Sequence, residues 1–178
     1  MRQRLVLLTI LVLGISASAV QAQNVTREEV PGVTNFARVE TTIACAGATT
    51  PAALAGLKKM GYASVINLRV ATEAGADIDG EAAAARAAGV NYIHLPFNAA
   101  SPDPMLVDNF LKAIATPANQ PAFVHCASGN RAAALWMIKR IQVDKWDANR
   151  AEKEAVALGM TSPAMKTFVT NYLQTHKP

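Results

Sequence analysis

Pro121-Ala122-Phe123-Val124-His125-Cys126-Ala127-Ser128-Gly129-Asn130-Arg131-Ala132-Ala133-Ala134-Leu135 decides how the rest of this chain is read. Pro121 to His125 is a short apolar run bounded by proline, the composition of a buried strand. Arg131 to Ile141 reads as a helix with Leu135 and Ile138 on one side. Between them lies a loop whose residues bear chemistry. In a parallel sheet such a strand-to-helix turn sits at the carboxyl edge, where α/β folds place their sites. Successive N–H groups of Ala127, Ser128, Gly129, Asn130 and Arg131, turned inward, form an anion-binding nest. The helix that follows adds its positive end. Gly129 permits the tight turn. Inward amides, a helix start and a nearby arginine all favour thiolate over thiol in a cysteine so placed. Arg131 offers a planar fork for two oxygens of a tetrahedral anion, while Cys126 is placed to attack its central atom.

Upstream, the pattern alternates. Asn24 to Thr34 is polar and irregular, the mark of a loose N-terminal segment. Phe36 to Ile43 has strand composition and leads into the small-residue turn Ala44 to Thr49, which holds Cys45. Thr50-Pro51 reads as a helix start, and Gly61 closes the helix over Ala52 to Met60. Ser64 to Leu68 is a second buried strand, Arg69 to Asp79 a polar loop, and Gly80 to Ala88 a helix stopped by Gly89. Tyr92 to Leu95 is a strand ended by Pro96, and Asp103-Pro104 opens a helix with Leu106, Phe110 and Ile114 at four-residue spacing. After the cysteine loop only helices follow, one capped by Asp147 and one started by Ser162-Pro163. The expected fold is a single α/β domain with a mainly parallel sheet of four to five strands and helices on both faces.

The first residues stand apart. Arg2 and Arg4 precede an apolar stretch from Leu5 to Ile15 and a small-residue run to Ala22. That layout predicts a secretory leader over residues 1–22, a domain over 23–178, and a periplasmic or secreted protein. The apolar run is too short to span a bilayer comfortably, so no stable membrane insertion is expected after cleavage. Without Arg2 and Arg4 the 17 basic residues fall by two against 13 acidic ones. The chain has no basic run and no aromatic–basic interleaving, which argues against nucleic acid as a partner. Its three histidines and two cysteines lack metal-ligand spacing, and neither metal nor cofactor is expected. His94 reads as an edge or core residue, and Trp136 and Met137 as core.

Val124-His125-Cys126, with Gly129 and Arg131 leading into a helix, resembles the signature loop of tyrosine and dual-specificity phosphatases. Gly61 to Arg69 with Glu73 is similar to their second-strand segment, and Gly89 to Pro96 to the strand before their general-acid loop. Ala157 to Pro163 and the pattern Cys-x-x-Gly-x-Arg from Cys126 to Arg131 look like one bacterial branch, the phosphatase-like domain of beta-lactamase hydrolase-like proteins. The resemblance implies a protein tyrosine phosphatase-like fold and a phosphoester hydrolase with a phosphocysteine at Cys126. It implies a phosphorylated small molecule or phosphoprotein as substrate, bound over a rim shaped by Leu95 to Pro104.

Three departures bear on that reading. Cys126 and Arg131 enclose four residues where tyrosine phosphatases have five, and four is the spacing of many rhodanese sulfurtransferase loops. Ala132 supplies no hydroxyl after the arginine. Ala99 stands where the general-acid aspartate is expected, three residues after Pro96, and Asp103 is the nearest carboxylate able to donate a proton. Asp103 before Pro104 also reads as a helix cap. His125 is expected to support the loop by hydrogen bonding, and Arg69 and Glu73 either orient it or form a surface ion pair. Cys45 is a candidate redox partner for Cys126, with a structural bridge or two distant thiols as alternatives. Sulfur transfer through a Cys126 persulfide and non-catalytic oxyanion binding stand beside the phosphatase reading.

Overall fold

The computed structural model describes residues 25–39 and 41–176, so the predicted leader over residues 1–22 lies outside the described residues. One six-stranded sheet organises the chain. Its strands are β1 (Val25–Arg27), β2 (Ala37–Val39), β3 (Ile43–Ala46), β4 (Ser64–Asn67), β5 (Asn91–His94) and β6 (Ala122–His125), in the order β1-β2-β3-β6-β4-β5. The pairs β3–β6, β6–β4 and β4–β5 are parallel, while β1–β2 and β2–β3 are antiparallel. The sheet thus exceeds the expected four to five strands. The extra pairing comes from two places. The polar stretch after Asn24 forms β1 instead of a loose tail, and Phe36–Ile43 divides between two strands, β2 and β3. Pairing of β3 with central β6 carries the strand on through Ala46, so Ala44 and Cys45 belong to buried strand, not to a turn.

The remaining elements are α1 (Leu54–Lys59), α2 (Ile78–Ala88), α3 (Leu106–Ala115), α4 (Asn130–Gln142), α5 (Ala148–Ala157) and α6 (Pro163–Thr175). Strand alternation sorts their packing. On one face, Ala44, Val65 and Phe123 meet Leu54, Leu57 and Ala85 of α1 and α2. On the other, Ile43, Cys45, Ile66 and Val124 meet α3 to α6 through residues including Phe110, Leu135, Ile138 and Leu158. Phe123 anchors the first face, its ring 6.2 Å from Phe36 and 5.9 Å from Tyr62. Burying a phenylalanine on this scale contributes about 1.5–3 kcal/mol.

Local signals explain most boundaries. Asp77 caps α2 by accepting the Gly80 N–H, and Gly89 ends it in a left-handed conformation. Asp147 caps α5 through the Arg150 N–H. Against the second face, Trp136 donates to Glu154 at 2.6 Å, and Arg140 lies between the rings of Trp136 and Trp146. The three parallel pairs bring the ends of β3, β4, β5 and β6 to one edge.

Candidate active site

At the end of β6 the chain is still held by the sheet, since the Cys126 N–H donates to Ala46 O at 3.1 Å. It then reverses through Ala127, Ser128 and Gly129, whose φ of 96° lies in the left-handed region. A side chain there would be strained by the backbone alone. α4 begins at the next residue. Inside this turn the Gly129 N–H donates to Cys126 Sγ at 3.1 Å. The N–H groups of Ala127, Ser128, Asn130 and Arg131 have no acceptor among the described residues. Unpartnered amides beside a sulfur at a helix start are what an oxyanion requires. Cys126 is 1% exposed. The outer loop residues Ser128, Asn130 and Arg131 line a cleft of about 610 Å³, together with Thr72, Glu73, Phe97, Asn98, Ala99, Ser162 and Met165.

Arg131 is aimed by a carboxylate. Its Nη1 donates to Glu73 Oε1 at 2.6 Å and its Nη2 to Glu73 Oε2 at 2.8 Å. Nη1 also reaches Phe97 O at 2.8 Å and Leu68 O at 3.2 Å. The other edge of the guanidinium, Nε–H with the second Nη2–H, donates to no protein oxygen among the described residues, and the Cys126 thiol is close enough to act on the group. Burial works against both charges. The hydrogen bonds to Arg131 outweigh it for Glu73, whose carboxyl is held below the usual range, and those to Glu73 hold the Arg131 guanidinium above its own.

Arg69 supports this pair from behind. It is 3% exposed, donates to Gly75 O at 2.8 Å and Ala74 O at 2.6 Å, and lies 3.5 Å from Glu73. Glu73 thus bonds both arginines, through the ion pair with Arg69 and the two bonds to Arg131. Val70 N–H donates to Glu73 at 2.8 Å and completes the turn. His94 is an edge residue whose Nε2–H donates to the Arg69 carbonyl at 2.8 Å.

His125 lies under the loop, on the α2 face of the sheet. Its Nε2 is 3.0 Å from Glu81 Oε2, both side chains being buried, yet the angle gives neither ring nitrogen a hydrogen bond. The same Glu81 oxygen accepts from Asn67 Nδ2 at 2.8 Å and from the Tyr92 hydroxyl at 3.2 Å. Expected support by a hydrogen bond from His125 is therefore replaced by a close polar contact within a buried cluster. Glu81, Asn67 and Tyr92 were not singled out by sequence. The usable signal was Glu81, a carboxylate leading directly into the alanine run Ala82–Ala85.

Two candidates fall away from the cleft. Asp103 is exposed, lines no part of it, and accepts the Met105 N–H at 2.8 Å in the turn before α3. Proline at 104 and a short polar side chain make that turn, and the structure places Asp103 as its cap. Ala99 does line the cleft, as the rim reading of residues 95–104 expected. Cys45 is a wholly buried free thiol in β3, paired in register with Val124. Two residues along and one strand across put the Cys45 and Cys126 α-carbons about 8 Å apart. A disulfide needs roughly 4.4–6.8 Å. Burial in the core also pushes the Cys45 thiol far above its ordinary range. The predicted redox pair is thus two separate thiols.

Beyond the loop, Asn130 Oδ1 accepts the N–H groups of both Thr161 and Ser162 at 2.7 Å, tying the start of α6 to the cleft. With this geometry in place, the family model for the phosphatase-like domain of beta-lactamase hydrolase-like protein matches residues 35–143. The chain belongs to that family. No curated protein matches its sequence closely enough to count as a relative. Among solved structures, a candidate phosphatase of the DUF442 group from Shewanella putrefaciens CN-32 aligns at 20% identity over 81% of this chain and 92% of its own, with a TM-score of 0.66. A P. aeruginosa TpbA variant solved with phosphotyrosine aligns at 19% identity over 85% and 91%, TM-score 0.64. The core catalytic domain of the PP-IP phosphatase Siw14 from S. cerevisiae, solved with citrate, gives 18% over 80% and 87%, TM-score 0.63. This family member therefore has the cysteine-based phosphatase fold, and family membership makes it a phosphatase-like domain.

Proposed function

We propose that this chain is a phosphatase that hydrolyses a phosphoester by covalent catalysis at Cys126. The single observation that carries the reading is the set of unpartnered amides at Ala127, Ser128, Asn130 and Arg131 in the loop whose Gly129 N–H donates to the Cys126 sulfur. Three non-bridging oxygens of a phosphate monoester fit those donors and the unused edge of Arg131. The Cys126 sulfur attacks phosphorus, the ester P–O bond breaks, and the leaving oxygen departs with its electron pair. Water then attacks the phosphocysteine, the S–P bond breaks, and inorganic phosphate and the thiolate are regenerated. Glu73 keeps the guanidinium in register throughout. A phosphorylated small molecule or phosphoprotein suits the open cleft, a choice supported by the phosphotyrosine held by TpbA and the PP-IP activity attached to Siw14.

Turnover of p-nitrophenyl phosphate by the wild type, abolished in Cys126→Ser with phosphate binding retained, is the expected result. Full activity in that variant would remove Cys126 from the chemistry. Sulfur transfer is the second reading, favoured by the four residues between Cys126 and Arg131. Thiosulfate-to-cyanide transfer with no ester hydrolysis would replace the first reading by the second. Phosphate binding with neither activity would leave an oxyanion receptor. We further infer export, on the strength of Arg2, Arg4 and the apolar run to Ile15. A mature N-terminus at Gln23 in a periplasmic or culture fraction is the outcome expected, and a cytoplasmic chain beginning at Met1 would refute it.

A further inference from the structure

Asn35 lies outside the loop, on the segment before β2, and its backbone φ of 52° is in the left-handed region. Asparagine is one of the few non-glycine residues that tolerates it. The position is nevertheless tightly determined. Phe36, the next residue, is buried in the aromatic group with Phe123 and Tyr62. Thr34, the previous one, exchanges backbone hydrogen bonds with the exit of β3, accepting from Gly47 at 2.7 Å and donating to Ala48 at 2.9 Å. Gly47 is pressed so closely between the segments that a Cβ there would collide with Thr34 Oγ1 and lie 3.1 Å from Ala127 O. Asn35 is thereby held against the loop, and its Nδ2 donates to Ser128 O at 3.2 Å.

The consequence follows from the planarity of the peptide group. In a trans peptide the C=O of one residue and the N–H of the next point in opposite directions. Ser128 C=O and Gly129 N–H share one such plane. Holding the carbonyl outward on Asn35 directs the Gly129 N–H inward, where it meets Cys126 Sγ at 3.1 Å. The preceding peptide is fixed by main chain, since Ala48 N–H donates to Ala127 O at 3.0 Å. The second plane lies within the isolated antiparallel bridge between Ser128 and Gly47, and Asn35 adds a side-chain bond to its carbonyl. We propose that Asn35 is a positioning residue that clamps the Ser128–Gly129 peptide so that its N–H faces the Cys126 sulfur. Were that plane to turn over, a carbonyl oxygen would face the sulfur and the incoming anion, reversing the sign of the local dipole.

The inference rests on the reading of Cys126 to Arg131 as the catalytic cradle, and the test separates the two. Asn35→Gly keeps the left-handed backbone and removes the donor. Asn35→Asp keeps the shape and sets an oxygen against the Ser128 carbonyl. In the full chain the Gly129 amide resonance in a ¹H–¹⁵N spectrum is expected to shift in both variants. With p-nitrophenyl phosphate at saturation, kcat is expected to fall about 2- to 10-fold in Asn35→Gly, the range of one net hydrogen bond, and further in Asn35→Asp. The melting temperature reports folding independently. An unmoved Gly129 resonance in both folded variants, or wild-type kcat in Asn35→Asp, overturns the clamp. If the wild type hydrolyses no ester, the phosphatase reading fails and the Gly129 resonance alone decides the clamp.

Discussion

Replacing Glu73 by glutamine removes one charge and swaps one oxygen for an NH₂ of nearly equal size. The carboxylate receives two short bonds from Arg131, at 2.6 and 2.8 Å, and one from Val70 N–H at 2.8 Å. Glutamine keeps one oxygen for these donors and turns an NH₂ toward the other guanidinium nitrogen. Hydrogen bonds to charged groups contribute about 1.5–3 kcal/mol each. The Glu73 side chain is 25% exposed and that of Arg131 14%, so the lower end applies. A net loss of about 2 kcal/mol lowers the melting temperature by about 4–8 °C. Scanning calorimetry across pH supplies the decisive reading. Because the Glu73 carboxyl is held below its ordinary range in the fold, its contribution is complete above the unfolded value near ~4.3 and is lost as pH falls through the folded one. The gap between wild type and Glu73→Gln therefore closes on acidification. A gap under about 1 °C at neutral pH, or one that persists unchanged into acid, would refute the reasoning.

Asp103→Asn preserves the turn, because the amide oxygen still accepts the Met105 N–H. Its rate relative to wild type is expected to be the same for esters with good and poor leaving groups, whereas loss of a general acid costs roughly 10²–10⁴-fold with the poor ones. Cys45→Ala trims a buried thiol in the β3 core and is expected to leave the sensitivity of activity to oxidant unchanged, since Cys45 and Cys126 do not pair. Detection of a Cys45–Cys126 peptide by mass spectrometry after oxidant treatment would contradict that expectation.

The strand–loop–helix around Cys126 was legible because its signals are local. An apolar run, a glycine in the left-handed region and an alanine-rich helix follow one another within the segment that folds. The caps at Asp147 and Gly89 were readable for the same reason. Asn35, Glu81, Asn67 and Tyr92 were not, because each acts across elements far apart in sequence. Asn35 reaches a carbonyl 93 residues away. Glu81 meets His125 only because β4 and β6 are neighbours beneath α2.

By itself the sequence determined the alternating α/β order, the carboxyl-edge position of the cysteine loop, and the cysteine and arginine it carries. Short-range periodicity and turn chemistry suffice for those. Tertiary structure decided three further matters. Pairing with β6 made Ala44 to Ala46 a buried strand, which moved Cys45 out of a turn and beyond bonding range. Packing of the 69–75 loop against the same edge set Glu73 on Arg131. The turn before α3 took up the Asp103 carboxylate and left the cleft without it. Each outcome depends on which surfaces meet once the sheet is assembled, and a residue's own neighbours in the chain hold no record of that.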